Sequence, residues 1–230
     1  MRKKFSLIIF TDLDGSLLHR DNFNFDEIKE YIKNLIDEGI IIIPNTSKTD
    51  SEIEDFVKEL GADLPFISEN GASIHGLNLI NTNFPNKIIL SRNKQELLEI
   101  FNSKVPDELR AKCKFISNMD LKQQSKIFGL QENNLKNALN RKYTIPFLFE
   151  GDKKEKNKLF NILKSSSLTM QEGGRVLNLG DKTDKVKSMN QVLKIYKKVE
   201  SKIKVIAVGD NFNDLDMLRN CDIPCLVFND

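Results

Sequence analysis

Along the first third of the chain, unbroken apolar runs of strand length alternate with apolar stripes at helical spacing. Residues 6–10 (SLIIF) read as a buried strand. Residues 25–37 place Phe25, Ile28, Tyr31, Ile32, Leu35 and Ile36 on one helical face, and Gly39 supplies the stop. Residues 40–44 (IIIIP) predict a second strand. Residues 49–61 predict a helix with Thr49 or Asp50 as N-cap, acids in its first turn and Gly61 at its end. Residues 64–68 (LPFIS) make a third short strand. This β-α-β-α-β order predicts a parallel sheet covered by helices.

The same rhythm returns at the other end of the chain. Residues 184–199 are helical in pattern, 204–209 (KVIAVG) form a strand, 213–221 a short helix and 224–228 (PCLVF) a last strand. The texture between them differs. Turn residues cluster at 78–86 (NLINTNFPN), and strand-like and helix-like stretches mix among polar linkers up to residue 181. The expected organisation is a core built from residues 1–83 and 182–230, with residues 84–181 inserted as a second, mixed α/β domain.

Composition narrows the function classes. With 35 Lys and Arg against 33 Asp and Glu, the net charge is only +2, which provides no field for nucleic acid or a membrane surface. The lysines lie among glutamates and asparagines, as on solvated helix faces. No apolar run reaches membrane-spanning length and the first residues lack a signal-peptide pattern, so a cytoplasmic protein is expected. Three cysteines, Cys113, Cys221 and Cys225, argue against a disulfide framework, and the latter two lack a companion Cys or His pair for zinc. Neither a monomer nor a homodimer is favoured.

Candidate chemistry falls where strands end. In an open parallel sheet, ligands bind beyond the carboxyl ends of the strands. There stand Asp12-Leu13-Asp14-Gly15, Asn45-Thr46-Ser47-Lys48, and Gly209-Asp210-Asn211-Phe212-Asn213-Asp214. Each cluster alone also reads as turn and cap chemistry. Together they bring Asp12, Asp14, Asp210 and Asp214 to one edge, where mutual repulsion calls for a cation. Oxygen ligands with room for water and phosphate suit Mg²⁺.

"DLDGSLL", Thr46 after the second strand, Lys185 opening a helix and "GDNFND" resemble the four motifs of the haloacid dehalogenase superfamily. That resemblance covers nearly the whole chain and implies a doubly wound, Rossmann-like α/β core with an inserted α/β cap. It implies Asp12 as the nucleophile forming an aspartyl-phosphate, and Asp14 as the group that protonates the leaving alkoxide and then activates water. Lys185 would neutralise charge and the Thr46 hydroxyl would bind phosphate. Mg²⁺ would be held by Asp12, the Asp14 carbonyl and Asp210, with Asp214 orienting a metal-bound water or Lys185.

Further stretches, "NTSKT", "PFISENGA", "GLQENNLKNALNRKYTIPF" and "EGGRVLNLGDKTDK", resemble the mannosyl-3-phosphoglycerate phosphatase family. They imply a phosphorylated sugar–glycerate substrate, with mannosyl and glucosyl forms both open, and Lys48, Glu69, Asn70, Gly71 and Arg175 as its binding residues. Asn70-Gly71 also reads as a plain turn and Arg175 as a surface arginine. Another sugar-phosphate phosphatase of the superfamily, such as one acting on sucrose phosphate, shares the core motifs. A silent phospho-sugar sensor would have lost the nucleophile or acid, and Asp12, Asp14, Lys185 and Asp210 are all present. Departures are Ser16 where Thr is usual, Val186 where Gly is usual, and an end at "CLVFND" where relatives commonly run on. His19 and His75 fall in none of these motifs and read as structural or exposed, and Phe147 and Phe149 read as cap core.

Overall fold

A computed structural model describes residues 6–172 and 175–229. It divides into a first unit of Met1–Lys48, Ile53–Leu90 and Asp184–Asp230, and a second of Thr49–Glu52 and Ser91–Thr183.

The first unit begins with β1 (Ser6–Thr11), α1 (Asp26–Asp37), β2 (Ile41–Pro44), α2 (Asp50–Leu60), β3 (Phe66–Ser68), β4 (Ser73–His75) and β5 (Lys87–Ile89). A parallel sheet forms from β1, β2 and two later strands, as the crossover helices require. Alternation within its strands decides which helices cover which face. Ile8, Phe10 and Ile43 enter one apolar cluster, whereas Ile9 and Ile42 join another with Ile32, Ile53 and Phe56 from α1 and α2. Burying a side chain such as Ile8 or Phe10 contributes about 2–3 kcal/mol, so two covered faces specify the register strongly.

The third predicted strand forms but belongs elsewhere. β3 pairs antiparallel with β4, and β4 with β5. Only a single parallel bridge, Asn45 to Ile67, ties it to the end of β2. The reason is local: α2 brings β3 up parallel to β2, but β3 is only three residues long, and the turn after Ser68 folds the chain straight back so that β4 takes up its pairing. The pairing of β5 also moves the domain boundary. Residues 84–90 stay with the first unit, held by β5 and by Leu90 N–H donating to Ala72 O at 2.9 Å. At the other boundary, residues 182–183 fall in the second unit.

The second unit contains α3 (Lys94–Lys104), α4 (Asp107–Arg110), β6 (Cys113–Phe115), α5 (Leu121–Phe128), α6 (Glu132–Leu139), β7 (Thr144–Phe149), α7 (Lys153–Ser165), β8 (Leu168–Glu172) and β9 (Leu177–Asp181). Its strands form an antiparallel sheet in the order β6-β7-β9-β8. Phe147, Ile145, Met170 and Leu179 of this sheet pack with Leu97, Phe101, Leu159 and Leu163 from α3 and α7. Asn93, Asp120 and Asp152 cap α3, α5 and α7 in reciprocal capping boxes, which explains where these polar helices start. Thr49 belongs with this unit, its hydroxyl donating to Asn137 O at 2.8 Å.

The chain completes the first unit with α8 (Lys185–Tyr196), β10 (Ile203–Gly209), α9 (Leu215–Arg219) and β11 (Ile223–Leu226). The full parallel order is β11-β10-β1-β2. Asp184 caps α8 by accepting from Lys187 N–H at 2.7 Å. Among the described residues no helix is long and apolar enough to cross a membrane.

Candidate active site

Three neighbouring strands, β10, β1 and β2, deliver the chemistry. Sheet bonding continues one residue past β1 and β2: Asp12 N–H donates to Val208 O at 2.9 Å and Asn45 N–H to Thr11 O at 2.7 Å. The side chains that follow the strands are therefore held by the sheet itself. Gly15 has φ +77°, and a Cβ there would fall onto Asp210, 2.8 Å from its carboxyl carbon. Glycine thus permits both the turn and the close approach of two chain segments.

Asp12, Asp210 and Asp214 each offer a carboxylate oxygen within 4.8 Å of the other two. The Lys185 ammonium lies 2.9 Å from Asp12 and 2.6 Å from Asp214. Burial would lower its affinity for a proton, but the charges of Asp12 and Asp214 outweigh that and raise it. Asp210 is pushed upward by burial and then by Asp12 and Asp214. Burial likewise pushes Asp214 upward, against the pull of Lys185. The buried Lys185 ammonium alone leaves the three acids short of positive charge, and their oxygen-only donors fit a hard divalent cation.

Asp214 is already engaged on both oxygens. Oδ1 accepts from Lys185, and Oδ2 accepts from the main-chain N–H groups of Asp210 at 3.2 Å and Asn211 at 3.1 Å. Such bonding suits a residue that orients Lys185 and the loop, and leaves it poorly placed to give an oxygen to a metal. Asp14 stands apart from the triad of acids. Its carboxylate pairs at 2.9 Å with Lys48, whose ammonium also lies 4.5 Å from the centre of the Phe23 ring.

Thr46 is fully buried, its N–H donating to Ile67 O at 3.1 Å and its hydroxyl accepting from Lys48 N–H at 3.3 Å. The turn after β3 is stitched to this loop: Glu69 N–H donates to Lys48 O and Asn70 N–H to Thr46 O, both at 2.9 Å. Glu69 and Asn70 are buried, with φ of +47° and +57°. Left-handed backbone in consecutive non-glycine residues carries strain, which gathers at functional sites. The plain-turn and site readings of Asn70-Gly71 therefore describe one object: a hairpin turn fastened to the Thr46 loop. Gly71 packs against the start of α8, where a Cβ would stand 2.7 Å from the Asp184 carbonyl carbon.

The structure brings together Asp12, Asp14, Thr46, Lys48, Glu69, Asn70, Gly71, Lys185, Asp210 and Asp214 within the first unit. Arg175 lies in the second unit and is exposed; its neighbours Gly173 and Gly174 are outside the described residues. Phe147 is core, Phe149 packs on the same cluster, and His75 stacks on Phe66 at 4.7 Å. Two partners escaped the sequence reading, Asn229 and Phe23, and Asn45, placed in the strand-end cluster, was given no role there. Asn229 donates from Nδ2 to Gly15 O and to Asp210 Oδ2, both at 3.0 Å. Asn45 contacts Lys185, and Phe23 lies under Lys48. Asn45 immediately precedes Thr46 at a strand end, a position that signals the site; the other two carry no local signal.

Comparison with known proteins shows the family and the fold. The pattern of a family described as haloacid dehalogenase-like hydrolase matches residues 9–229. A glucosyl-3-phosphoglycerate/mannosyl-3-phosphoglycerate phosphatase from Methanococcoides burtonii is 33% identical over 96% of this chain and 84% of its own length. A mannosyl-3-phosphoglycerate phosphatase from Pyrococcus horikoshii is 28% identical over 96% of this chain and 90% of its own. A solved haloacid dehalogenase-like hydrolase from Bacteroides thetaiotaomicron superposes with TM-score 0.65 at 16% identity, covering 97% of this chain and 94% of that one. At that identity the likeness shows the fold alone.

Proposed function

The chain belongs to the haloacid dehalogenase-like hydrolases, and on that premise we propose that it removes the phosphate from mannosyl-3-phosphoglycerate or its glucosyl analogue. It is a phosphoric monoester hydrolase by family and by relatives over most of its length. The observation that carries the catalytic reading is the placement of Asp12 against a buried Lys185, with Asp14 held two residues on by Lys48.

In this reading an Asp12 oxygen bonds to phosphorus as the bond to the glycerate oxygen breaks, and Asp14 gives that oxygen a proton. Water then forms the next bond to phosphorus, losing its proton to Asp14, and the Asp12–phosphorus bond breaks to release phosphate. Lys185 and the Thr46 hydroxyl stabilise the charge on the phosphoryl oxygens. Asp12, Asp210 and the Asp14 carbonyl would hold Mg²⁺, with Asp214 orienting Lys185 behind them. When bound, the metal offsets repulsion between the carboxylate and the phosphate. Lys48, Glu69, Asn70 and Gly71 would read the rest of the substrate, together with Arg175. Lys48 would divide its time between Asp14 and a substrate anion.

The test is phosphate release by purified protein with Mg²⁺ from both glycosyl-3-phosphoglycerates, sucrose phosphate and simpler sugar phosphates. Preference for the glycosyl-3-phosphoglycerates supports the reading. Turnover of another sugar phosphate with neither of them used refutes the substrate, and silence on every phosphomonoester returns the chain to a sensor role.

A further inference from the structure

Asn45 is a fully buried polar side chain at the end of β2 to which none of the roles above assigns a task. Its Nδ2 donates to the main-chain carbonyl of Lys185 at 2.9 Å and approaches Met217 Sδ at 3.5 Å. Its Oδ1 is buried without a hydrogen-bond partner. On the main chain, Asn45 N–H donates to Thr11 O at 2.7 Å, one residue before Asp12. The residue after it is Thr46. One residue thus joins the strand that bears the nucleophile and the loop that bears the hydroxyl through its main chain, and the helix that bears the ammonium through its side chain.

Stability alone does not explain an amide here. An orphaned buried acceptor costs about 1–3 kcal/mol, and an apolar side chain of the same shape would remove that cost. What the amide supplies is a directed bond to the residue whose ammonium meets Asp12. Lys185 O also accepts from Ser188 Oγ at 3.0 Å, a bond within the helix that cannot set where the helix sits. The bond from Asn45 crosses from sheet to helix and does set it. Gly71, packed on the Asp184 carbonyl, limits the same turn from another side.

We propose that Asn45 is a positioning residue: it fixes the first turn of α8 against the end of β2, so that Lys185 and Thr46 address one phosphoryl group at Asp12. The inference rests on the phosphatase reading. Its reach is set by geometry, since a displacement of about 1 Å costs on the order of 10²-fold in rate.

The decisive variant is Asn45→Leu, which keeps the shape and removes both the donor and the orphaned acceptor. Thermal unfolding, p-nitrophenyl phosphate kinetics with Mg²⁺, and calorimetric binding of orthovanadate are measured on the full chain. Expected is a midpoint at or above that of the wild type, kcat lowered on the order of 10²-fold and KM nearly unchanged. Vanadate affinity should fall by at least about tenfold, because vanadate draws on the same geometry. Asn45→Ala, which leaves a small cavity, should lose some stability yet show the same kcat loss. Wild-type kcat in a folded Asn45→Leu protein overturns the proposal. So does a kcat loss that merely follows the midpoint across the two variants. A wild type silent on every phosphomonoester defeats the phosphatase reading instead, while vanadate binding still reports on Asn45.

Discussion

Lys185 Nζ and Asp214 Oδ1 lie 2.6 Å apart with both side chains sealed from solvent. Asp12 stands on the other side of the ammonium at 2.9 Å, so one cation answers two carboxylates. Replacing Lys185 with Met removes the charge that meets the phosphoryl oxygens and leaves two acids facing each other. We expect kcat to fall by about 10²–10³-fold and stability by about 3 kcal/mol, the cost of opening a buried pair. Steady-state kinetics and urea unfolding measure the two separately. An active Lys185→Met protein would contradict the arrangement.

Gly15→Ala tests the crossing of the Asp12 loop and the Asp210 loop. The added methyl meets Asp210, and φ of +77° costs a non-glycine residue about 1–2 kcal/mol. Displacing Asp210 should weaken Mg²⁺ binding by about 10–100-fold, a range typical when support for a ligand is lost. The readout is the shift of the unfolding midpoint with Mg²⁺ concentration, independent of turnover. An unchanged Mg²⁺ response would separate Asp210 from the metal.

Arg92 and Asp181 make a paired contact in the second unit, Nε to Oδ2 at 2.8 Å and Nη2 to Oδ1 at 2.7 Å. Burial pushes the Asp181 carboxyl upward, but the hydrogen bonds and charge of Arg92 outweigh it and hold the group below its ordinary 3.8. A carboxylate lowered in the folded state stabilises above its unfolded value and loses that contribution as pH falls through the folded value. The stability gap between wild type and Asp181→Asn, about 1 kcal/mol, should hold at pH 5–7 and narrow as the pH falls below about 4. Urea midpoints measured from pH 7 to pH 3 decide the matter; a gap that does not shrink between pH 5 and pH 3 contradicts it.

The three thiols are free, and burial separates them. Burial pushes the Cys113 thiol up to about 11, so little of the reactive thiolate exists near neutrality. Cys225 is exposed. Iodoacetamide at pH 8 should label Cys225 in the native protein and reach Cys113 only after unfolding, as read by peptide mass spectrometry. Early labelling of Cys113 would show that the core around Leu109 and Phe147 opens.

Much of the first unit was legible because its signals are local. A short apolar run such as SLIIF, closed by polar residues, reads as a covered strand, and the helical stripe from Phe25 to Ile36 needs an apolar face to pack on. Acids placed directly after such strands are carried to one sheet edge, so Asp12, Asp210 and Asp214 could be assembled on paper, whereas the turn of Asp14 away from them toward Lys48 could not. Less legible was the third strand, because five apolar-rich residues say nothing about the direction of their partner. The boundary at residue 84 missed β5 for the same reason: three strand residues reveal their pairing only when β4 lies beside them.

Sequence alone determined the alternation of strands and helices, the nature of the second unit and the set of charged groups gathered at the strand ends. These follow from periodicity and spacing, which are properties of neighbours along the chain. Tertiary structure decided how that set is divided: Lys185 between Asp12 and Asp214, Lys48 on Asp14, Asn229 on Asp210 and Asn45 on the carbonyl of Lys185. Hydrogen bonds and ion pairs act over about 3 Å, and residues 45 and 185 come within that range only once β2 and α8 have packed.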